Sequence, residues 1–328
     1  MLINRAQGRM GGCIVDNEES LSDLDNGLII HEWIEKTGGA ENVVDQFALT
    51  FPGIPIACTW DDAPDRYLGH KIIESPLART PLRGHKAASL PFHPLVWSGK
   101  WFLQPNTEWI LTSSHSFAHQ AAASKAARHL TSFAYIYTPA RYLWAPEVDP
   151  RGESLAVKAA GKILKPIDRA RAQKTDYIAV LTHYIAQRVE KAWGRDSKVI
   201  YPPVAIEEIQ AVTDWRTQVT DYDEKQLLES LPEQFVFGAS RMVAYKRLDL
   251  VIEAGEAVGL PVVVGGSGPD EPRLKERAAT AKVPVIFAGR VSDAMLRALM
   301  QAATVYVFPP IGNPSRRRGL PRANFHRA

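Results

Sequence analysis

The fold is decided by F-V-F-G-A-S-R-M-V-A-Y-K-R-L-D-L-V-I-E-A (235–254), V-V-V-G-G-S-G-P-D (262–270), V-I-F-A-G-R-V-S-D (285–293) and V-Y-V-F-P-P (305–310). Short apolar runs, rich in valine and phenylalanine, alternate with amphipathic runs. The pattern predicts strands over 235–239, 261–264, 284–288 and 304–308, with helices near 247–258, 271–280 and 292–303. The last helix is the clearest, because Met295, Leu296, Leu299, Met300 and Ala303 form one apolar stripe. Each connecting loop carries a glycine, a cation or both. In a βαβ series such loops lie at the carboxyl ends of the strands, where α/β sheets bind ligands, and their composition suits a phosphorylated one.

The first half repeats this alternation. Predicted strands are L-I-I-H-E-W-I (28–34), I-P-I-A-C-T-W (54–60), W-I-L-T-S-S (109–114), F-A-Y-I-Y-T (133–138), Y-I-A-V-L-T (177–182) and K-V-I-Y-P (198–202), with helices over 40–49, 117–129 and 183–193. Strands alternating with helices argue for a mainly parallel sheet. Pro202-Pro203 closes this half, and the polar, acidic stretch 204–232 reads as a linker. The organisation expected is therefore a separate start at 1–26, an α/β domain at 27–203, the linker, a partial α/β domain at 233–310 and a tail at 311–328.

The two ends differ from the rest. Residues 16–25 are acidic and aperiodic, so 1–26 read as disordered or as a misassigned start. The tail I-G-N-P-S-R-R-R-G-L-P-R-A-N-F-H-R-A holds five arginines and no acid. It reads as a basic segment or as the scar of a truncation or frameshift, extended and exposed in either case. Net charge is only +3, so no nucleic-acid partner is implied. The two cysteines, Cys13 and Cys58, form no disulfide framework or zinc motif. No apolar run approaches the ~20 residues of a membrane span. A cytoplasmic protein is expected, with contact at the inner face of a membrane left open.

Arg241 and Lys246 lead the candidate residues. They follow a strand and precede a helix, where two cations can hold a diphosphate by charge-assisted hydrogen bonds and oppose charge developing on a leaving group. Gly266-Ser267-Gly268-Pro269-Asp270-Glu271 begins like G-x-G-x-x-G, but Glu271 replaces the third glycine, which makes a dinucleotide-binding enzyme a poor fit. His115 and His119, four apart on an expected helix, read as a polar helix face before a metal pair. His31-Glu32 lacks the second histidine of a zinc-protease motif. Asp221-Tyr222-Asp223 is read as an exposed acidic turn, and Asp61, Asp62 and Asp65 as loop residues. No metal site is expected.

The order strand, S-R-x-x-x-x-K-R-x-D (240–249), apolar helix resembles the donor-binding half of GT-B glycosyltransferases of the retaining GT4 kind. G-G-S-G-P (265–269) and A-G-R-V-S-D (288–293) extend the resemblance. In the first half H-E-W-I-E-K-T-G-G-A-E-N-V (31–43), S-S-H-S-F-A-H (113–119), Y-T-P-A-R-Y-L-W (137–144) and V-I-Y-P-P-V (199–204) resemble bacterial members that act on surface polysaccharides.

The resemblance implies two Rossmann-like domains facing across a cleft, the second incomplete here. It implies no cofactor. The donor would be a nucleotide diphosphate sugar, GDP-mannose being the first guess, and the acceptor a saccharide or lipid-linked hydroxyl. Arg241 and Lys246 would contact the donor phosphates, Gly38 and Gly39 would admit them, and Gly266, Gly268, Arg290 and Val291 would lie near the nucleotide. Tyr137 stands where the family has a histidine beside the transferred sugar. The family's E-x7-E motif is missing after V-F-P-P, so an inactive fragment is one alternative and a nucleotide-sugar epimerase of the same architecture another.

Overall fold

The computed structural model describes residues 25–36, 38–146, 149 and 155–309. The tail and nearly all of the separate start lie outside the described residues, as does Cys13. The chain divides into two compact units, 1–203 and 204–328.

In the first unit, β1 (Gly27–His31) leads into α1 (Gly39–Thr50), followed by β2 (Ile56–Cys58) and β3 (Ile72–Glu74). Two single turns, α2 (Lys86–Ser89) and α3 (His93–Val96), precede β4 (Trp109–Ser114) and β5 (Thr131–Ile136). Then come α4 (Arg141–Trp144), α5 (Leu155–Ala172), β6 (Tyr177–Val180), α6 (His183–Trp193) and β7 (Lys198–Val199). All seven strands are parallel, in the order β3-β2-β1-β4-β5-β6-β7. β1 is an inner strand and wholly buried, which explains its unbroken apolar run. One face of the sheet packs on a core built around Leu28, Ile30, Trp97, Phe102 and Ile110. On another face a groove of about 1410 Å³ stays open between α1 and the turn after α6, lined by Phe47, Phe51, Trp109, Phe133, Tyr135 and Tyr177.

The second unit begins with α7 (Ile206–Ala211) and α8 (Tyr222–Ser230). It continues through β8 (Val236–Ala239), α9 (Asp249–Val258), β9 (Val262–Gly265), α10 (Glu271–Ala279), β10 (Val285–Gly289), α11 (Asp293–Ala302) and β11 (Val305–Tyr306). Its parallel strands run in the order β10-β9-β8-β11. Of the stripe read on α11, Met295 and Leu299 are fully buried, joined by Ala298, while Leu296 and Ala303 are half-buried and Met300 is 40% exposed.

Four readings change. The stretch 204–232 does not behave as a linker. Val219 is buried in the second unit's core, with Trp215, Leu227, Leu228 and Leu231 packed around it. Glu224 accepts from the backbone N–H and the hydroxyl of Ser292 at 2.5 and 2.6 Å, joining α8 to the start of α11. Its sequence reads as polar because α7 is exposed throughout, and only a few positions from Trp215 to Leu231 turn inward. The expected 117–129 helix is a 3-10 turn over Ala118–Ala123 followed by further turns. Tertiary packing overrides propensity in that alanine-rich stretch, where Phe117, Ala118, Ala121 and Ala122 are buried. The first strand ends at His31, and beyond it Ile34 makes only an isolated bridge to Asp61. Finally, α5 was not expected. Its run of lysines and arginines and its internal Pro166 hide the apolar positions.

Candidate active site

The carboxyl end of the first unit's sheet gathers a buried polar cluster. His31 ends β1 with no exposure, and Glu32 follows it, also with none. The Glu32 carboxylate accepts from the Ser114 hydroxyl (3.1 Å) and from the backbone N–H groups of His115 (3.1 Å), Ser116 (2.9 Å) and Ala118 (2.8 Å). A chain leaving β1 is thereby tied to the loop leaving β4. Burial works against ionisation of Glu32, but His115, His31 and the Ala118 and His115 N–H groups outweigh it and hold the carboxyl below its ordinary range. Glu41, in the first turn of α1, is also buried. Its own burial pushes its pKa up, and the neighbouring His31 imidazole more than reverses that. His31 Nε2 stands 3.8 Å from Glu41 Oε1.

Donor accounting fixes the order of the remaining bonds. The Tyr137 hydroxyl donates to the Ala40 carbonyl at 3.0 Å, so across the 2.9 Å contact it accepts from the Ser113 hydroxyl. Ser113 Oγ then accepts from His31 Nδ1 at 3.0 Å. Tyr137 therefore fastens the first turn of α1 to β4. Gly38 N-caps α1 without a side-chain cap. A Cβ on Gly38 would lie 1.9 Å from Glu41 Oε2, whereas one on Gly39 would meet nothing. The helix N-terminus that the sequence assigns to donor phosphates thus has the Glu41 carboxylate beside it.

The two histidines expected on one helix face part company. His115 lies in the loop after β4, its Nδ1 3.4 Å from Glu32. His119 sits in the 3-10 turn, its Nε2 3.1 Å from Asp168, which also accepts from Gln120, Trp144 and Trp193 at 2.7–2.8 Å. That second network is buried in the core, with Asp168 as its shared acceptor. No metal-holding group of three or more His, Cys, Asp or Glu occurs among the described residues. Asp221 caps α8 by accepting from Glu224 N at 3.0 Å. Asp61 and Asp62 join a loop network with Arg83 and Glu74.

In the second unit the loops after β8, β9 and β10 are laced together at the carboxyl edge of the sheet. Ser240 N donates to Gly265 O (3.1 Å), Met242 N to Ser267 O (2.8 Å), Asp270 N to Met242 O (3.0 Å) and Gly266 N to Gly289 O (2.6 Å). Gly266 has φ +113° and Gly268 φ +155°. A Cβ at either would strike a main-chain carbonyl, 2.0 Å from Ser240 O and 2.3 Å from Met242 O respectively. The glycines therefore allow this loop to lie against the segment that carries Arg241. The Arg241 guanidinium donates to the Tyr245 hydroxyl at 3.0 Å and is otherwise exposed. Lys246 lies over the Phe308 ring at 5.0 Å. Arg247, at φ +50°, turns away to bind Asp249 at 2.7 Å. Arg290 and Val291 follow Gly289 on the same edge, Arg290 exposed. The six nucleotide-side candidates share one sheet edge of this unit; Gly38, Gly39 and Tyr137 share one of the other.

Sequence reasoning missed the roles of His31, Glu32, Glu41, Ser113 and His115. The signal available was the pairing of H-E-W-I with S-S-H-S-F at the ends of two strands. Only the β1–β4 pairing, His31 opposite Ser113, makes them neighbours.

The titration of this cluster carries a prediction. Burial lowers His115 and pushes His93 down to about 4 from 6.5. The unfolded chain takes up those protons first, so their contribution to stability is whole above pH 6.5 and falls as pH drops towards about 4. Glu32, Glu41 and Asp168 lie below ordinary values of 4.5, 4.5 and 3.8, so theirs is whole above those values and is lost as pH falls through the lower folded ones. Urea midpoints of the first unit should therefore drop from pH 7 to 5, and His93→Gln should flatten that portion. A wild-type midpoint constant over this range would contradict it.

Comparisons with known proteins agree with the fold. Residues 220–313 match the family model of glycosyl transferases group 1. D-rhamnosyltransferase WbpZ of Pseudomonas aeruginosa is 30% identical over 152 residues, 45% of this chain and 36% of the relative, so the match spans about a third of that protein's length. Among solved structures, HepE of Anabaena in complex with UDP is similar at TM-score 0.57 and 14% identity, covering 86% of this chain and 73% of that one. An α,α-trehalose 6-phosphate synthase from Burkholderia multivorans is similar at TM-score 0.57 and 16% identity, covering 87% and 78%. The fold is α/β with two Rossmann-like units, the fold class of GT-B glycosyltransferases.

Proposed function

We propose that this chain is a glycosyltransferase that takes a nucleotide diphosphate sugar and transfers its sugar to a hydroxyl of a saccharide or lipid-linked acceptor. The observation that carries the reading is the edge of the second unit. There Arg241 and Lys246 stand on a loop braced by Gly266 and Gly268, inside the segment similar to glycosyl transferases group 1. Two cations on a fixed loop, Arg241 exposed and Lys246 half-buried, suit a diphosphate and the charge it gains on departure. The HepE structure in complex with UDP-glucose and the rhamnosyltransferase relative support a nucleotide-sugar donor and a hexosyl group. Retention at the anomeric carbon, GDP-mannose as donor, no cofactor and a role in surface polysaccharide synthesis complete the reading. Gly38 and Gly39 would admit the phosphates, Arg290 and Val291 would border the base, and Tyr137 would line the sugar's side. No described helix is long and apolar enough to cross a membrane, and a lipid-linked acceptor would be met at the membrane surface.

Titration calorimetry with UDP-glucose and GDP-mannose tests the proposal. Binding is expected. Arg241→Ala and Lys246→Ala should each weaken it about ten- to a hundredfold, since a hydrogen bond to a charged group contributes roughly 1.5–3 kcal/mol. A folded chain that binds no nucleotide sugar would remove the reading. Unchanged affinity in both variants would move the phosphates elsewhere.

A further inference from the structure

In the first unit α5 buries Gly161, Asp168 and Ala172, and Leu164 packs on the core from the same side. The outward side of the helix carries two parallel stripes. Lys158, Lys162, Lys165 and Arg169 follow at spacings of four, three and four, and so share one line along the helix. Ala159, Ile163, Pro166 and Ala170 form a second line, one residue further round. All four are exposed, Ile163 at 66%. Asp168, the only acid in Leu155–Ala172, is buried. Among the described residues none of the four cations makes an ion pair. Lys165 and Arg169 lie over the Trp144 ring at 5.6 and 5.4 Å, and Arg169 donates to the Ala192 carbonyl at 2.8 Å. Beside the start of the helix is a cavity of about 180 Å³, whose walls include Leu143, Pro146 and Val157 together with Lys158, Lys162 and Lys165.

We infer that α5 is the surface by which the first unit docks on an anionic phospholipid membrane, its cation stripe on the lipid phosphates and its Ile163 stripe in the headgroup layer. A negative membrane surface attracts lysine and arginine, and a helix lying in that layer needs an apolar line beside its cations. The long lysine stems let the ammonium groups stay with the phosphates while Ile163 sits deeper. The cavity has the layering of a phospholipid, with cations for the phosphate and apolar walls for the hydrocarbon below it. A nucleic acid would satisfy the cations but leave Ile163 in water, and the Trp144 ring beside them is half-buried under Lys165 and Arg169, so it offers no free face to a base. The inference stands on α5 alone and goes beyond the nucleotide-sugar reading, whose failure would leave it unaffected.

Cosedimentation of the intact chain with vesicles tests this, using phosphatidylcholine alone and phosphatidylcholine mixed with phosphatidylglycerol. Wild type should bind the mixed vesicles and not the neutral ones, and added sodium chloride should weaken it. Lys158→Gln combined with Lys162→Gln should weaken binding about fivefold for each lysine removed. Ile163→Ser should weaken it about three- to tenfold and leave the salt dependence as it was. Lys225→Gln combined with Lys282→Gln removes the same charge from the second unit and should change nothing. All five positions are exposed, so the variants should fold, and circular dichroism spectra matching wild type verify it. A wild type with no preference for the mixed vesicles would overturn the inference. So would an equal loss in the second-unit pair, which would show attraction by net charge alone, or an Ile163→Ser variant that binds as wild type does. A mixed-sequence oligonucleotide bound more tightly than the mixed vesicles, and released by the α5 lysine pair, would reassign the surface to nucleic acid.

Discussion

Glu32→Ala should lower the unfolding free energy of the first unit by about 3–5 kcal/mol, comparable to removing one partner of a buried charge pair. The carboxylate serves three backbone N–H groups and one hydroxyl, and its loss leaves them buried without an acceptor. Each such group costs about 1–3 kcal/mol, and relaxation of the 114–118 loop keeps the sum below simple addition. Glu32→Gln separates charge from geometry. Its amide oxygen can still serve Ser114, Ser116 and Ala118, which all bond to one carboxylate oxygen, but its NH2 would face the His115 N–H. About half the loss is expected. Urea unfolding followed by tryptophan fluorescence measures both. A Glu32→Ala midpoint equal to wild type would mean that the loop is held by something else.

Gly266→Ala should damage both the second unit's stability and its ligand. At φ +113° an alanine is strained by about 1–3 kcal/mol before any contact is considered. Its Cβ would then stand 2.0 Å from the Ser240 carbonyl, a main-chain atom that can yield only if the loop carrying Arg241 moves. Nucleotide-sugar affinity should consequently fall at least tenfold, about 1.4 kcal/mol, even at temperatures where the variant is fully folded. Gly259→Ala is the control: there φ is +69°, so backbone strain is present, but no atom lies within 4 Å of a Cβ. That variant should lose stability and keep its affinity. Equal affinity loss in the two would show that the loop contact is irrelevant to binding.

The sheet of the second unit, 235–308, was legible in the sequence because its signals are local. Val262–Gly265 and Val285–Gly289 are unbroken apolar runs bounded by glycine, and α11 carries a stripe that survives into the core. β9, an inner parallel strand buried on both faces, has to read this way, and β10 reads alike although it is a half-buried edge strand. The segment 204–232 was not legible, since Val219 enters the core without any periodic neighbour. The 117–129 stretch misled for the opposite reason. Its alanines favour a helix in isolation, while their burial against the sheet selects a 3-10 turn.

By itself, then, the sequence determined the alternation of strand and helix, the two parallel sheets and the placement of Arg241, Lys246, Gly266 and Gly268 on loops at one edge. Those follow from hydrophobic period and from turn chemistry, which act over a few residues. The tertiary structure alone decided that His31, Glu32, Glu41, Ser113, His115 and Tyr137 form one network, since its members come from β1, α1 and the ends of β4 and β5. It also decided that His115, four residues from His119, faces a different carboxylate. Buried polar groups must find partners wherever the strand order brings them, and contacts between residues 82 apart, such as His31 with Ser113, leave no trace in local pattern.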